Sequence, residues 1–390
     1  MRVGVVFEYP TVNGGENSMF AAIEWLLADA GPSDLKLVAL YPPRGAVRNR
    51  LSALNIETVV FDRHSPEEGE ERPAQSSREL QIESLITAVK AARPDVLHAN
   101  SLAMGRLLGA AASQLPCPTT THLRDILKLS KAAIGDLNQN SRLVAVSKAT
   151  HEFHIAQGLT VENSCVVHNG IAASVRPEQP SATRERVRAE LGIPADANVL
   201  LTVGQIGLRK GLDTLAEAAR RLATDNQPLH WLIAGERFSR KQESIDCERQ
   251  VFETFQSAAP AVMAHRLGYR NDVADLMLAS DLLVHGARQE PLGRVLLEAA
   301  SLQLPIVATD VGGTREILED GVSGLLVPAD DPPATASAIE RLLDHSDLRQ
   351  RLASKATLRV QRDFSIERSA RQLAAVWRTV CKEKKSRPEA

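Results

Sequence analysis

Glu290 and Glu298 stand eight residues apart in the run Glu290-Pro291-Leu292-Gly293-Arg294-Val295-Leu296-Leu297-Glu298, just after a short apolar strand over 281–285. Pro291 suits the first turn of a helix, where its missing N–H costs nothing. Val295, Leu296, Leu297, Ala299, Ala300 and Leu302 are apolar nearly all round that helix, which is therefore expected to be buried. Glu298 in its middle becomes a buried carboxylate that needs partners. Eight residues at ~1.5 Å each put the two acids roughly 12 Å apart. That is too far for a glycosidase pair, which needs about 5–9.5 Å. It suits one elongated ligand gripped at both ends. The free N–H groups and positive dipole of the helix start favour a phosphate between them, and Gly293 lets it approach the backbone. On spacing alone, Glu290 as a dipole-compensating residue and Glu298 as a satisfied core acid fit equally well.

Further polar groups collect where apolar strands end, and ligands of open α/β sheets bind at the C-terminal ends of strands. The strand over 199–203 runs into Gly204-Gln205-Ile206-Gly207-Leu208-Arg209-Lys210-Gly211, which lacks the Gly-Lys-Ser/Thr ending of a Walker loop. The strand over 2–8 is followed by Asn13-Gly14-Gly15-Glu16-Asn17, read as a glycine loop whose N–H groups can face a phosphate. A strand over 95–101 ends in His98 and Asn100; asparagine donates and accepts hydrogen bonds but carries no proton. The strand 119–125 ends in His122, Arg124 and Asp125. Arg124 can contact a phosphate or an anionic acceptor with Asp125 fixing its fork, or the two can form an internal salt bridge. Ser147 reads as a helix N-cap. His151 and His154, three apart and with no third ligand, read as a solvated helix face.

Short apolar runs alternate with helical patterns along all 390 residues, which predicts βαβ units, parallel sheets and more than one domain. A helix over 18–30 stopped by Gly31-Pro32, a mobile polar loop over 63–79 and a linker over 172–182 punctuate the pattern. The formal net charge of −2 argues against a nucleic-acid surface. Four cysteines without paired spacing read as reduced thiols, and no signal peptide or ~20-residue apolar span is visible, so the expected location is cytoplasmic, with at most peripheral membrane contact.

The order of elements from Glu290 onward carries a resemblance. After Glu290-Pro291-Leu292-Gly293 and Glu298 come Gln303-Leu304-Pro305-Ile306-Val307, Gly312-Gly313-Thr314-Arg315-Glu316 and Gly321-Val322-Ser323-Gly324-Leu325-Leu326-Val327. This resembles the retaining glycosyltransferases called family 4, whose pattern is E-x-F-G-x-x-x-x-E, then G-x-P-V, G-G-x-x-E and G-x-x-G-x-L-V. Leu292 replaces the usual aromatic, and Gln303 stands where glycine is usual. The match is strongest over residues 197–330.

The resemblance implies the GT-B fold, two Rossmann-like parallel-sheet α/β domains facing a cleft. Residues 1–171 would be the acceptor-side domain, 183–362 the donor domain, and 363–390 a helix crossing back to the first. It implies transfer of a sugar from a nucleotide diphosphate sugar to a hydroxyl of a carbohydrate, lipid-linked or small-molecule acceptor. Lys210 with Arg209 would hold the diphosphate; Gln205 replaces the family's arginine. Glu290, Leu292 and Gly293 would hold sugar and phosphate, Glu298 the ribose, and the loop at Tyr269 the base. Gly14 and Gly15 would lie beside the donor phosphates or acceptor, and Asn100, His122, Arg124 and Asp125 on the acceptor side. Asn100 stands where the family often has histidine, so no protein base is expected there. No Asp-x-Asp pair sits at a strand end, so no metal is expected. A sugar phosphorylase, a nucleotide-sugar epimerase and a non-catalytic nucleotide-sugar-binding protein remain as other readings of the same fold.

Overall fold

The structure is a computed structural model and describes residues 1–28, 34–41, 45–61, 77–172, 180–222 and 228–386. Among the described residues, seven strands form the first sheet: β1 Arg2–Val6, β2 Lys36–Tyr41, β3 Glu57–Val60, β4 Val96–Ala99, β5 Thr119–Leu123, β6 Arg142–Ala145 and β7 Ser164–Val166. Six form the second: β8 Val199–Val203, β9 Leu229–Ala234, β10 Val262–Gly268, β11 Leu282–His285, β12 Ile306–Thr309 and β13 Leu325–Val327. The orders are β3-β2-β1-β4-β5-β6-β7 and β10-β9-β8-β11-β12-β13. All these pairings are parallel, as the strand–helix alternation predicts.

Helices cover both faces of a parallel sheet, so its strands are apolar on both sides. In β1, Val3 and Val5 join one core and Val6 the core on the opposite face. Strand order reverses between β1 and β4 in one sheet and between β8 and β11 in the other. Residues leaving the C-terminal ends of those strands are the ones such a fold offers to ligands.

The chain divides into two compact units, Met1–Ala172 with Ile366–Ala390, and Ala173–Ser365. The last helix, Ile366–Lys385, joins the first unit because Ile366, Ala370, Leu373, Ala374, Trp377 and Val380 form one buried stripe in its core, beside Val3, Val5 and Phe20. Several boundaries differ from the sequence reading. The expected linker over 172–182 ends in helix, since Pro180–Glu190 is helical; residues 173–179 lie outside the described residues. The expected loop over 63–79 lies outside them up to residue 76, and 77–79 already belong to the helix Ser77–Ala92. The Gly31-Pro32 stop also lies outside them. No helix among the described residues is long and apolar enough to cross a membrane.

Candidate active site

In the second unit, Lys210 follows β8 and Glu290 follows β11, the two strands at the switch point. The Lys210 Nζ donates to Glu290 Oε2 at 2.6 Å, and His285 Nε2, at the end of β11, lies 3.0 Å from the same oxygen. A carboxylate only accepts, so His285 carries its proton on Nε2. Glu290 is 6% exposed. Burial acts to raise its pKa, but the Lys210 charge and the bonds from His285 and Lys210 outweigh that and hold the carboxyl well below its usual range. Burial is the main reason His285 is pushed down, so it stays a neutral donor. The second Glu290 oxygen, Oε1, has no protein partner among the described residues.

Close backbone contacts create this arrangement. Gly211 has φ +59°, and a Cβ there would lie 2.0 Å from the Gly286 carbonyl oxygen, so only glycine lets the two loops meet. Gly312 does the same for Glu290: its φ is +51°, a Cβ would lie 2.0 Å from the Glu290 carbonyl oxygen, and the neighbouring Gly313 N–H donates to that oxygen at 2.9 Å. Arg288, which the sequence reading missed, ties the loops together. It grips both oxygens of Asp213 at 2.9 and 2.7 Å, Asp330 at 2.6 Å and the Leu208 carbonyl at 2.6 Å. Its i to i−75 contact with Asp213 has no local sequence signal. Glu236, also missed, accepts from the Tyr269 N–H at 3.2 Å while its carbonyl accepts from Ile206 N–H at 2.9 Å, joining the loops after β8, β9 and β10. Tyr269 itself is exposed, as are Gln205 and Arg209. Gln205 lines a small recess with Gly204, Lys210, His285 and Gly286. Arg209 makes no ion pair among the described residues.

Glu298 is not the buried acid that its apolar helix predicts, and Glu290 is. The helix begins at Arg294, not Pro291, with Gly293 as its N-cap, because a left-handed Gly293 (φ +103°) breaks the helical path. Glu290 and Leu292 therefore lie outside the helix and are buried in the turn before it. Glu298 lies on the half-exposed face, 2.7 Å from Arg294 one turn earlier. A pair that exposed contributes about 0–1 kcal/mol, so Glu298 can release Arg294 for another partner at little cost.

In the first unit, Gly14 and Gly15 are not in a loop but open the helix Gly14–Leu27, because Asn13 and Glu16 close a capping box around its start. The Gly15 backbone packs over Arg124, whose Cδ would lie 3.2 Å from a Cβ there. Arg124 donates to the Asn100 side chain and carbonyl and to Asn169, each at 2.9 Å. Asp125 does not fix the fork; its contribution is the backbone carbonyl that accepts from His154 at 2.8 Å. His154 is accordingly buried and so does not belong to a solvated face, while the half-exposed His151 bonds to Ser164 at 2.7 Å. Ser147 caps its helix as expected, accepting from the Thr150 N–H.

His122 Nδ1 lies 3.2 Å from Arg124 Nη2 and 2.8 Å from His98 Nε2, and His98 Nδ1 lies 2.8 Å from the Thr120 hydroxyl. A guanidinium only donates, so His122 Nδ1 accepts and its proton sits on Nε2. His98 then donates from Nε2 and accepts the Thr120 proton. Burial, reinforced by the Arg124 charge, lowers His98 to about 3 and drives His122 well down, so both rings are neutral. His122 Nε2–H and the buried Asn100 Nδ2 are left as donors without a protein partner among the described residues.

Comparison with known proteins agrees with this architecture. Residues 183–359 match the family described as glycosyl transferases group 1, and residues 44–175 match glycosyltransferase family 4. An alpha-D-kanosaminyltransferase of Streptomyces kanamyceticus is 31% identical over 51% of this chain and 50% of its own length, so this chain spans about half of that relative. A D-inositol 3-phosphate glycosyltransferase of Thermobispora bispora is 27% identical over 93% of this chain and 89% of its own. The crystal structure of Anabaena HepE in complex with UDP-glucose aligns with a TM-score of 0.82 at 22% identity, covering 97% of this chain and 100% of that one, and the shared architecture is the GT-B fold. Together the two family matches take in most of the chain, which resembles the group 1 and family 4 glycosyltransferases.

Proposed function

We propose that the protein is a retaining glycosyltransferase that moves a sugar from a nucleotide diphosphate sugar to an acceptor hydroxyl. The observation that carries this reading is the Lys210–Glu290 pair at the β8/β11 switch point. Lys210 has three donors and spends one on Glu290, so the others can meet the diphosphate. As the sugar C1–O bond breaks, the leaving phosphate gains negative charge that a fixed ammonium stabilises. The acceptor oxygen bonds to C1 on the face the phosphate leaves, and its proton passes to the departing phosphate oxygen. His98 and His122 are both neutral donors, which supports a reaction without a protein base. Glu290 Oε1 accepts from a sugar hydroxyl, and Glu298 from the ribose. Asn100 Nδ2, His122 Nε2 and Arg124 are assigned to the acceptor. The chemistry is assigned to lysine and helix dipole with no metal, and the four free cysteines favour a cytoplasmic setting.

A thermal-shift screen of UDP-, GDP- and ADP-sugars tests the donor: a ligand at 100 times its Kd stabilises by ~2.7 kcal/mol. D-inositol 3-phosphate is the first acceptor to try, because a relative is named for it. The product's anomeric configuration by NMR should equal the donor's. No shift with any nucleotide sugar, or an inverted product, would refute the corresponding part. Glu298→Ala is expected to raise donor KM about tenfold with kcat nearly unchanged, the signature of lost uniform binding. Unchanged KM would remove Glu298 from the donor site.

A further inference from the structure

A second cavity lies at the other end of the second sheet. Its volume is about 460 Å³, and its wall includes Asp281 and Pro305, the residues that immediately precede β11 and β12. Lys210 and Glu290 follow the opposite ends of the strands there, and the four residues of β11 alone span roughly 13 Å. The cavity is therefore separate from the candidate active site.

Its polar wall is electropositive. Asp281 accepts from Arg184 at 2.7 Å, and from Arg188 at 2.9 Å and the Val199 N–H at 2.8 Å, so its charge is already met twice over. Arg349 adds a third guanidinium and donates one N–H to the Leu343 carbonyl at 3.2 Å; its other donors have no protein partner among the described residues. Gln303 adds a different signal. It stands where the family pattern has glycine, and it adopts φ +61°, a backbone region in which glycine is relaxed and glutamine is not. The chain keeps a strained residue here, and that residue lines the cavity.

We propose that this cavity binds a small phosphate ester, with Arg349 and Arg184 facing the phosphate oxygens and Gln303 a hydroxyl of the ester's body. Arginine matches phosphate with paired N–H donors. A cavity this size falls in the range that encloses a small metabolite and exceeds what a bare phosphate fills. The proposal does not rest on the donor reading.

Calorimetric titration of the full chain at fixed ionic strength tests it, with glucose 6-phosphate and glycerol 3-phosphate as probes and with inorganic phosphate and glucose as controls. At least one ester should bind, phosphate more weakly, and glucose not at all. Arg349→Gln should raise the ester Kd at least tenfold. Gln303→Gly should weaken binding while raising Tm by roughly 1–4 °C, because it removes the strained backbone. Lys210→Ala should leave ester binding intact. The proposal is overturned if neither ester binds, if phosphate binds as tightly as the esters, or if Arg349→Gln binds like wild type. It is equally overturned if Lys210→Ala abolishes binding, which would place the ester in the donor site. Higher Tm with unchanged ester affinity in Gln303→Gly would reduce Gln303 to a strained turn residue.

Discussion

Lys210→Ala is expected to lower kcat by on the order of 10²–10³ with only a modest rise in donor KM. The reason is where the ammonium stands. It leaves β8 at the switch point, is held by a buried carboxylate at 2.6 Å, and its side chain is 20% exposed. A cation fixed there meets the charge that grows on the leaving phosphate, and an interaction stronger in the transition state acts on kcat. Single-turnover and steady-state kinetics separate the two constants. Arg209→Ala is the control. Arg209 is exposed and makes no ion pair among the described residues, so if it supplies the cation missing at Gln205 its loss should resemble that of Lys210, and Gln205→Arg should partly restore activity. If Lys210→Ala turns over like wild type, the diphosphate does not bind at this loop.

Glu290→Gln should cost on the order of 3 kcal/mol of stability at pH 7 and slow turnover more than it weakens donor binding. The amide keeps an acceptor for His285 but leaves Lys210 without its counter-charge. The pH dependence identifies the cause. The Lys210 charge holds the folded carboxyl well below the ordinary glutamate range, so its stabilising effect is full above that range and is lost as pH falls through and beneath it. The stability gap between wild type and Glu290→Gln should therefore shrink between pH 7 and pH 3. Urea unfolding at both pH values measures it. A gap that is absent at pH 7, or equal at both, would mean that the ion pair does not hold the site.

Much of the fold was legible because parallel strands are buried on both faces and read as uninterrupted apolar runs. Val199–Val203, for example, has the bounds that its run predicts. The resemblance located Lys210 and Glu290 by their place after such strands, and Gly312-Gly313 by its spacing from them. The resemblance also implied the last helix, which the structure places over Ile366–Lys385.

What the sequence determined by itself, then, is the alternation of strand and helix, the polar residues at strand ends, and the family pattern around them. Tertiary structure decided which acid is buried. Glu298 lies within an apolar stretch yet faces outward, while Glu290 sits in a turn that Gly312 and Gly313 cover from another part of the chain. It also decided the partners: Arg288 with Asp213 and Asp330, Arg124 with Asn100 and Asn169 rather than Asp125, and His98 with His122. A charge or an amide has no periodic pattern that names its partner, and its environment is set by whichever distant segment the packing of the core brings beside it.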